Sequence, residues 1–118
     1  MYYIWRFPAD IVNSREGRSQ VEAIPPGKIL VEEFEWDERN EEHCGRHDLD
    51  PLIAEEVKDG APKFYPNKPD VTGSHMMIGP DDEGEFWTVI LVRVRNGLWR
   101  PITGWESGSK EIGLYKST

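Results

Sequence analysis

Apolar positions in this 118-residue chain fall into short strand-like runs separated by polar, turn-forming stretches. Residues 2–7 are apolar and aromatic and predict a short strand or packed arm, followed by a polar connector that ends at Pro25-Pro26-Gly27. Residues 29–36 read ILVEEFEW, with Leu30, Phe34 and Trp36 in one parity, as in a half-exposed strand. Asp37 stands at a helix N-cap position, and polar residues continue to His47 with Gly45 as a weak point near the end. Asp50-Pro51 is a second start signal, opening LIAEEVKDG with Gly60 as its stop. Residues 61–73 hold three prolines and have room for one short edge strand around Phe64-Tyr65.

The strongest structural signal follows. Residues 75–78, a turn at 79–84, the run 85–95, Asn96-Gly97 and residues 98–105 predict an antiparallel meander of three strands. A short helix over 107–115 closes the chain. The expected fold class is α+β, with two short helices after the first core strand, a short C-terminal helix, and the helices on one face of an antiparallel sheet. Residues 1–28 read as an N-terminal arm or extra strand plus connector, and residues 29–118 as the domain.

That length accommodates one core, which excludes a two-domain enzyme. The net charge of -8 argues against non-specific binding of nucleic acid, but it is unevenly spread. Residues 1–28 carry four bases and three acids, residues 29–60 three bases and twelve acids, and residues 61–118 seven of each. An acidic helical layer over a sheet with a local cationic site accommodates that division. One cysteine, Cys44, excludes an internal disulfide. The opening residues have neither a basic head nor a long apolar run, so a cytoplasmic protein with no membrane segment is expected.

Three constellations carry candidate chemistry. If Asn96-Gly97 is a two-residue hairpin loop, Arg95 opposes Leu98 and Arg93 opposes Arg100. Two guanidinium groups then face each other on one sheet face, which favours either an intervening anion or pairing with acids such as Glu85 or Glu111. His43, Cys44 and His47 form H-C-x-x-H on the first helix, a pattern short of a second ligand pair, so no metal is assigned and Cys44 is expected to pack in the core. In Arg46-His47 the neighbouring cation favours a neutral histidine available as a base, while a bland helix-end role stays open. No nucleophile elbow, phosphate loop or dinucleotide fingerprint is present.

At FEWDERNEEHCGRH the chain resembles the BrnT toxins, the RelE-like ribonuclease halves of type II toxin–antitoxin pairs, through Phe34, Trp36, Asp37, Asn40, Arg46 and His47. LDPLIAEEV resembles that family's second helix. Residues 75–79 resemble its R-x-x-x-G strand with His75 in place of Arg, and residues 100–105 its R-x-I-S-A-R strand with Trp105 in place of the second Arg. Lys110, Glu111 and Tyr115 match its K-E-x-x-x-Y closing helix, and residues 1–28 have no counterpart.

The resemblance implies a RelE-like fold, metal-independent RNA cleavage without a cofactor, and a ribbon-helix-helix antitoxin as partner. It implies His47 for proton transfer, Arg100 as phosphate clamp and His75 beside them. Arg46, Lys110, Glu111 and Tyr115 would support them, and Arg93 and Arg95 add cationic charge for RNA. The two altered cation positions predict weakened cleavage. The alternative is a catalytically inactive protein of the same fold that grips a protein partner through exposed aromatics such as Trp99 and Trp105.

Overall fold

The computed structural model describes residues 22–66 and 74–118. The expected strand at residues 2–7 and the loop at 67–73 lie outside the described residues. The chain forms β1 (Val31–Phe34), α1 (Glu38–Gly45), α2 (Pro51–Asp59), β2 (Lys63–Pro66), β3 (Ser74–Pro80), β4 (Phe86–Arg95), β5 (Gly97–Glu106) and α3 (Ser109–Ser117). The strands make one sheet in the order β1-β5-β4-β3-β2.

The α+β class is as the sequence implies, but the sheet is mixed rather than antiparallel. The β2-β3-β4-β5 meander is antiparallel, and β1 joins β5 in parallel, with Phe34 beside Trp99. Two helices in the β1-to-β2 connection carry the chain to the far edge of the sheet, the kind of crossover that parallel pairing requires.

Both caps form where the local signals place them. Asp37 Oδ1 accepts from the backbone N–H of Arg39 (3.0 Å) and Asn40 (3.2 Å) at the start of α1, and Asp50 Oδ1 accepts from Leu52 N (2.8 Å) ahead of Pro51. Gly45 does not end the first helical segment by adopting a left-handed conformation. That conformation falls on Asp48, with φ 67°, after a turn through His47, and it carries Leu49 into the core.

The helices cover both faces of the sheet, which corrects the one-sided arrangement. Alternation along the strands sends Met77, Val89, Leu91 and Trp99 to one face, where Phe34, Cys44, Leu49, Ala54 and Val57 cover them. Met76, Ile78 and Ile90 point to the other, against Leu114 and Tyr115 of α3. Gly104 lets Leu49 approach the first face, because a Cβ there would fall on Leu49 Cδ2 and 2.9 Å from Thr88 O. Leu30, expected to share the buried parity of Phe34, is 45% exposed, since an irregularity between Val31 and Glu33 breaks the alternation.

The β4-β5 hairpin departs from the expected register in one stretch. Arg95 pairs with Leu98 as expected, but Val94 is an extra residue on β4, so Arg93 opposes Trp99 and Arg100 opposes Val92. A second irregularity at Ile102 restores the frame, and Ile90 pairs with Thr103. Pro101 sits immediately before it, in a central strand where a proline is tolerated only at such an interruption. Directly opposed residues share a face, so the shift moves Arg100 to the face opposite Arg93 and removes the like-charge contact.

The end of β1 fixes how α1 meets the sheet. Glu35 N donates to Trp99 O (2.8 Å), and the next parallel rung would join Asp37 N to Pro101 O. The chain turns into α1 instead, and the buried Asn40 side chain satisfies both groups. Its Oδ1 accepts from Asp37 N (2.8 Å), while Nδ2 donates to Pro101 O (2.8 Å) and Glu35 O (2.9 Å). Leaving such groups without partners costs about 1–3 kcal/mol each. Asn40→Ala is expected to lower stability by about 3 kcal/mol, read as a drop in the urea midpoint at unchanged slope. Asn40→Asp, which keeps the size but loses both donors, should be comparably damaging.

Candidate functional site

Beyond the area covered by α1 and α2, the sheet end near Trp99 is crossed by the segment leading into β1. Ile24 N donates to Phe64 O of β2 (2.7 Å), a short turn spans Pro26–Lys28, and Ile29 packs against the first core. Because β1 and β2 are the two outer strands, residues 24–30 run from one edge of the sheet to the other as a strap. Trp99, only 3% exposed, donates from Nε1 to Leu30 O (2.7 Å) and pins the strap to β5.

Strap and sheet end enclose a cleft of about 630 Å³. Its polar lining is Lys28, His75, Arg93 and Asn96, and its apolar lining includes Ile24, Ile29 and Leu30 above the Trp99 indole. The His75 ring meets Trp99 edge-on, with centroids 4.9 Å apart and planes at 83°. Among the described residues no carboxylate lines this cleft, in a chain of net charge -8. Lys28 and Arg93, both exposed, are the charged side chains of that lining, the type of group that attracts an anion.

The structure brings His75 and Arg93 together and separates the other sequence candidates. Arg100 is committed to acids, with Nη2 donating to Asp37 Oδ1 (2.9 Å) and Nη1 to Glu35 Oε1 (3.2 Å). The Arg100 hydrogen bond and then the Asn40 backbone bond hold the Asp37 carboxyl down at about 2, below its ordinary 3.8. His47 is exposed past the other end of α1, its ring 6.4 Å from that of His43. Ten residues of helix and turn put it roughly 15 Å from Asp37, too far to act with Arg100 on one phosphate. Arg46 pairs with Glu42 at 3.4 Å in solvent, and Arg95 is exposed opposite Leu98. Cys44 is fully buried, and burial pushes its thiol up to about 12.

The closing-helix candidates hold the fold. Lys110 is exposed, whereas Glu111 is buried and accepts from Gly108 N at the start of α3 and from Trp105 Nε1 (3.3 Å). Tyr115 donates its hydroxyl to Ala61 O (2.7 Å), and its own carbonyl accepts from Lys63 Nζ (2.8 Å). Trp105 packs against the second core, and Trp99 is buried in the first, so neither is the exposed aromatic handle that the sequence suggests. Lys28 and Asn96 complete the cleft, Lys28 without any sequence signal and Asn96 with that of a turn alone. The strap that carries Lys28 is too short and proline-rich to show a periodicity.

No family model, curated protein or solved structure matches the chain.

The Arg100 pair makes a pH-dependent contribution to stability. A carboxyl whose folded value lies below its unfolded one stabilises the fold above about 3.8, and that stabilisation is lost as pH falls through about 2. Arg100→Ala is therefore expected to lower the urea midpoint at pH 6 and to differ less from wild type at pH 2. A midpoint equal to or above wild type at pH 6 would return Arg100 to the list of available anion ligands.

Proposed function

We propose that this protein is a divergent BrnT-like domain of RelE type that binds RNA through a phosphate held by Lys28 and Arg93 beside His75, with metal-independent cleavage attenuated. One observation carries the reading: in an acidic chain, the charged side chains that line this cleft among the described residues are the cations Lys28 and Arg93. The order of strand, two helices, antiparallel meander and closing helix supports the RelE-type assignment.

Attack of a ribose 2′-hydroxyl on the adjacent phosphate needs a base, an acid for the leaving oxygen, and cations for the charge on the phosphorane. Among the described residues of the cleft lining His75 is the histidine placed for proton transfer, with Lys28 and Arg93 as the cations. One histidine serving both steps, with Arg100 engaged by two acids, supports slow chemistry. By the same resemblance the partner is a small ribbon-helix-helix antitoxin. Binding of a protein without RNA is the second reading, favoured by the internal engagement of Arg100, Glu111 and Tyr115.

Titration of a labelled oligoribonucleotide at several salt concentrations separates the two. Wild type should bind at low salt, and Arg93→Gln and Lys28→Gln should each weaken binding and reduce the salt slope by about 0.7 per lost contact. With EDTA present, slow cleavage should disappear in His75→Ala and persist in His47→Ala. Absence of RNA binding at low salt, or binding indifferent to both cation variants, leaves the protein-binding reading.

A further inference from the structure

Resting on the RNA reading above, we infer that the strap and the sheet end form a subsite for a single nucleotide unit, with the phosphate at Lys28 and Arg93 and the base against the apolar strap. The walls of the cleft differ in kind. Ile24, Ile29 and Leu30 present hydrocarbon from the strap beside the Lys28 ammonium, while Arg93, Asn96 and His75 present polar groups from the sheet. A phosphate alone would use the two cations, Lys28 from the strap and Arg93 from the sheet, and leave the hydrocarbon of Ile24, Ile29 and Leu30 uncovered. A ligand with a flat body and an anionic group uses both the cations and the hydrocarbon, and a nucleotide is such a ligand.

The volume, about 630 Å³, falls among small-molecule sites, which run from roughly 300 to 1,000 Å³. Asn96, in the hairpin turn, carries both donor and acceptor groups for a base edge. Trp99 is too deeply buried to serve as a stacking surface, so contact with the base falls to Leu30, which is 45% exposed at the cleft. The strap thereby becomes the specificity-determining element, and its residues 24–28 belong to the part of the chain that the BrnT resemblance does not cover.

Calorimetric titration of the full chain with AMP, adenosine and inorganic phosphate tests this. AMP should bind at least tenfold more tightly than either fragment. Leu30→Ser should weaken AMP about tenfold and leave phosphate within twofold, whereas Arg93→Gln should weaken both. Both positions are solvent-exposed, and an unchanged tryptophan emission spectrum verifies the fold. Phosphate binding as tight as AMP overturns the nucleotide subsite and leaves the RNA reading standing, provided that the oligoribonucleotide still binds. AMP binding insensitive to both variants places the nucleotide elsewhere and also overturns the inference. Failure of both AMP and the oligoribonucleotide to bind removes the RNA reading with it.

Discussion

The carboxamide of Asn40 occupies the place where the parallel rung between Asp37 N and Pro101 O would have formed. A side chain that both accepts and donates is required, because one orphan is an N–H and the other a carbonyl. Once it is seated, the exit of β1, the start of α1 and the middle of β5 are fixed relative to one another. Arg100 then meets Asp37 and Glu35 from the neighbouring position on β5, and the N-terminus of α1 gains a second anchor. Placement of α1 in turn lets Cys44 and Leu49 close the first core.

This constraint changes the meaning of the residues behind the family resemblance. Phe34 lies in the core, Trp36 donates from Nε1 to Glu55 Oε2 (3.0 Å) and ties β1 to α2, Asp37 caps α1, and Asn40 bridges strand and helix. Glu111 and Tyr115 do equivalent work for α3 on the opposite face. These positions keep the two helical layers on the sheet. The cleft draws on residues that lie outside them, with His75 the exception, so the architecture and the ligand chemistry of this chain can change separately.

What the sequence made legible was local. Asp37, Asp50-Pro51 and the Asn96-Gly97 turn act within a few residues of their own position, and the helices and hairpin they announce are present. Parallel pairing of β1 was not legible, because it joins Phe34 to Trp99 across most of the chain and leaves no periodic mark. The side of the sheet taken by α3 depends on Leu114 and Tyr115 meeting Met76, Ile78 and Ile90, again a long-range match. Of the candidate site, His75 and Arg93 were legible as chemistry-bearing types. Their meeting with Lys28 was not, since it depends on a strap fixed by long-range hydrogen bonds to Phe64 at one end and to the Trp99 indole at the other.

The irregularities at Val94 and Ile102 cancel each other, so that only the pairs between them are displaced. Removing Val94 or Ile102 itself would leave every pair on both sides in place, whereas removing a paired residue between them would slide one strand past the other and turn inward side chains to the wrong face. In the history of this chain these two positions are therefore where the hairpin could lose one residue without disturbing its pairing. Relatives compared position by position should show gaps at either of these two places, independently, rather than at the paired residues between them.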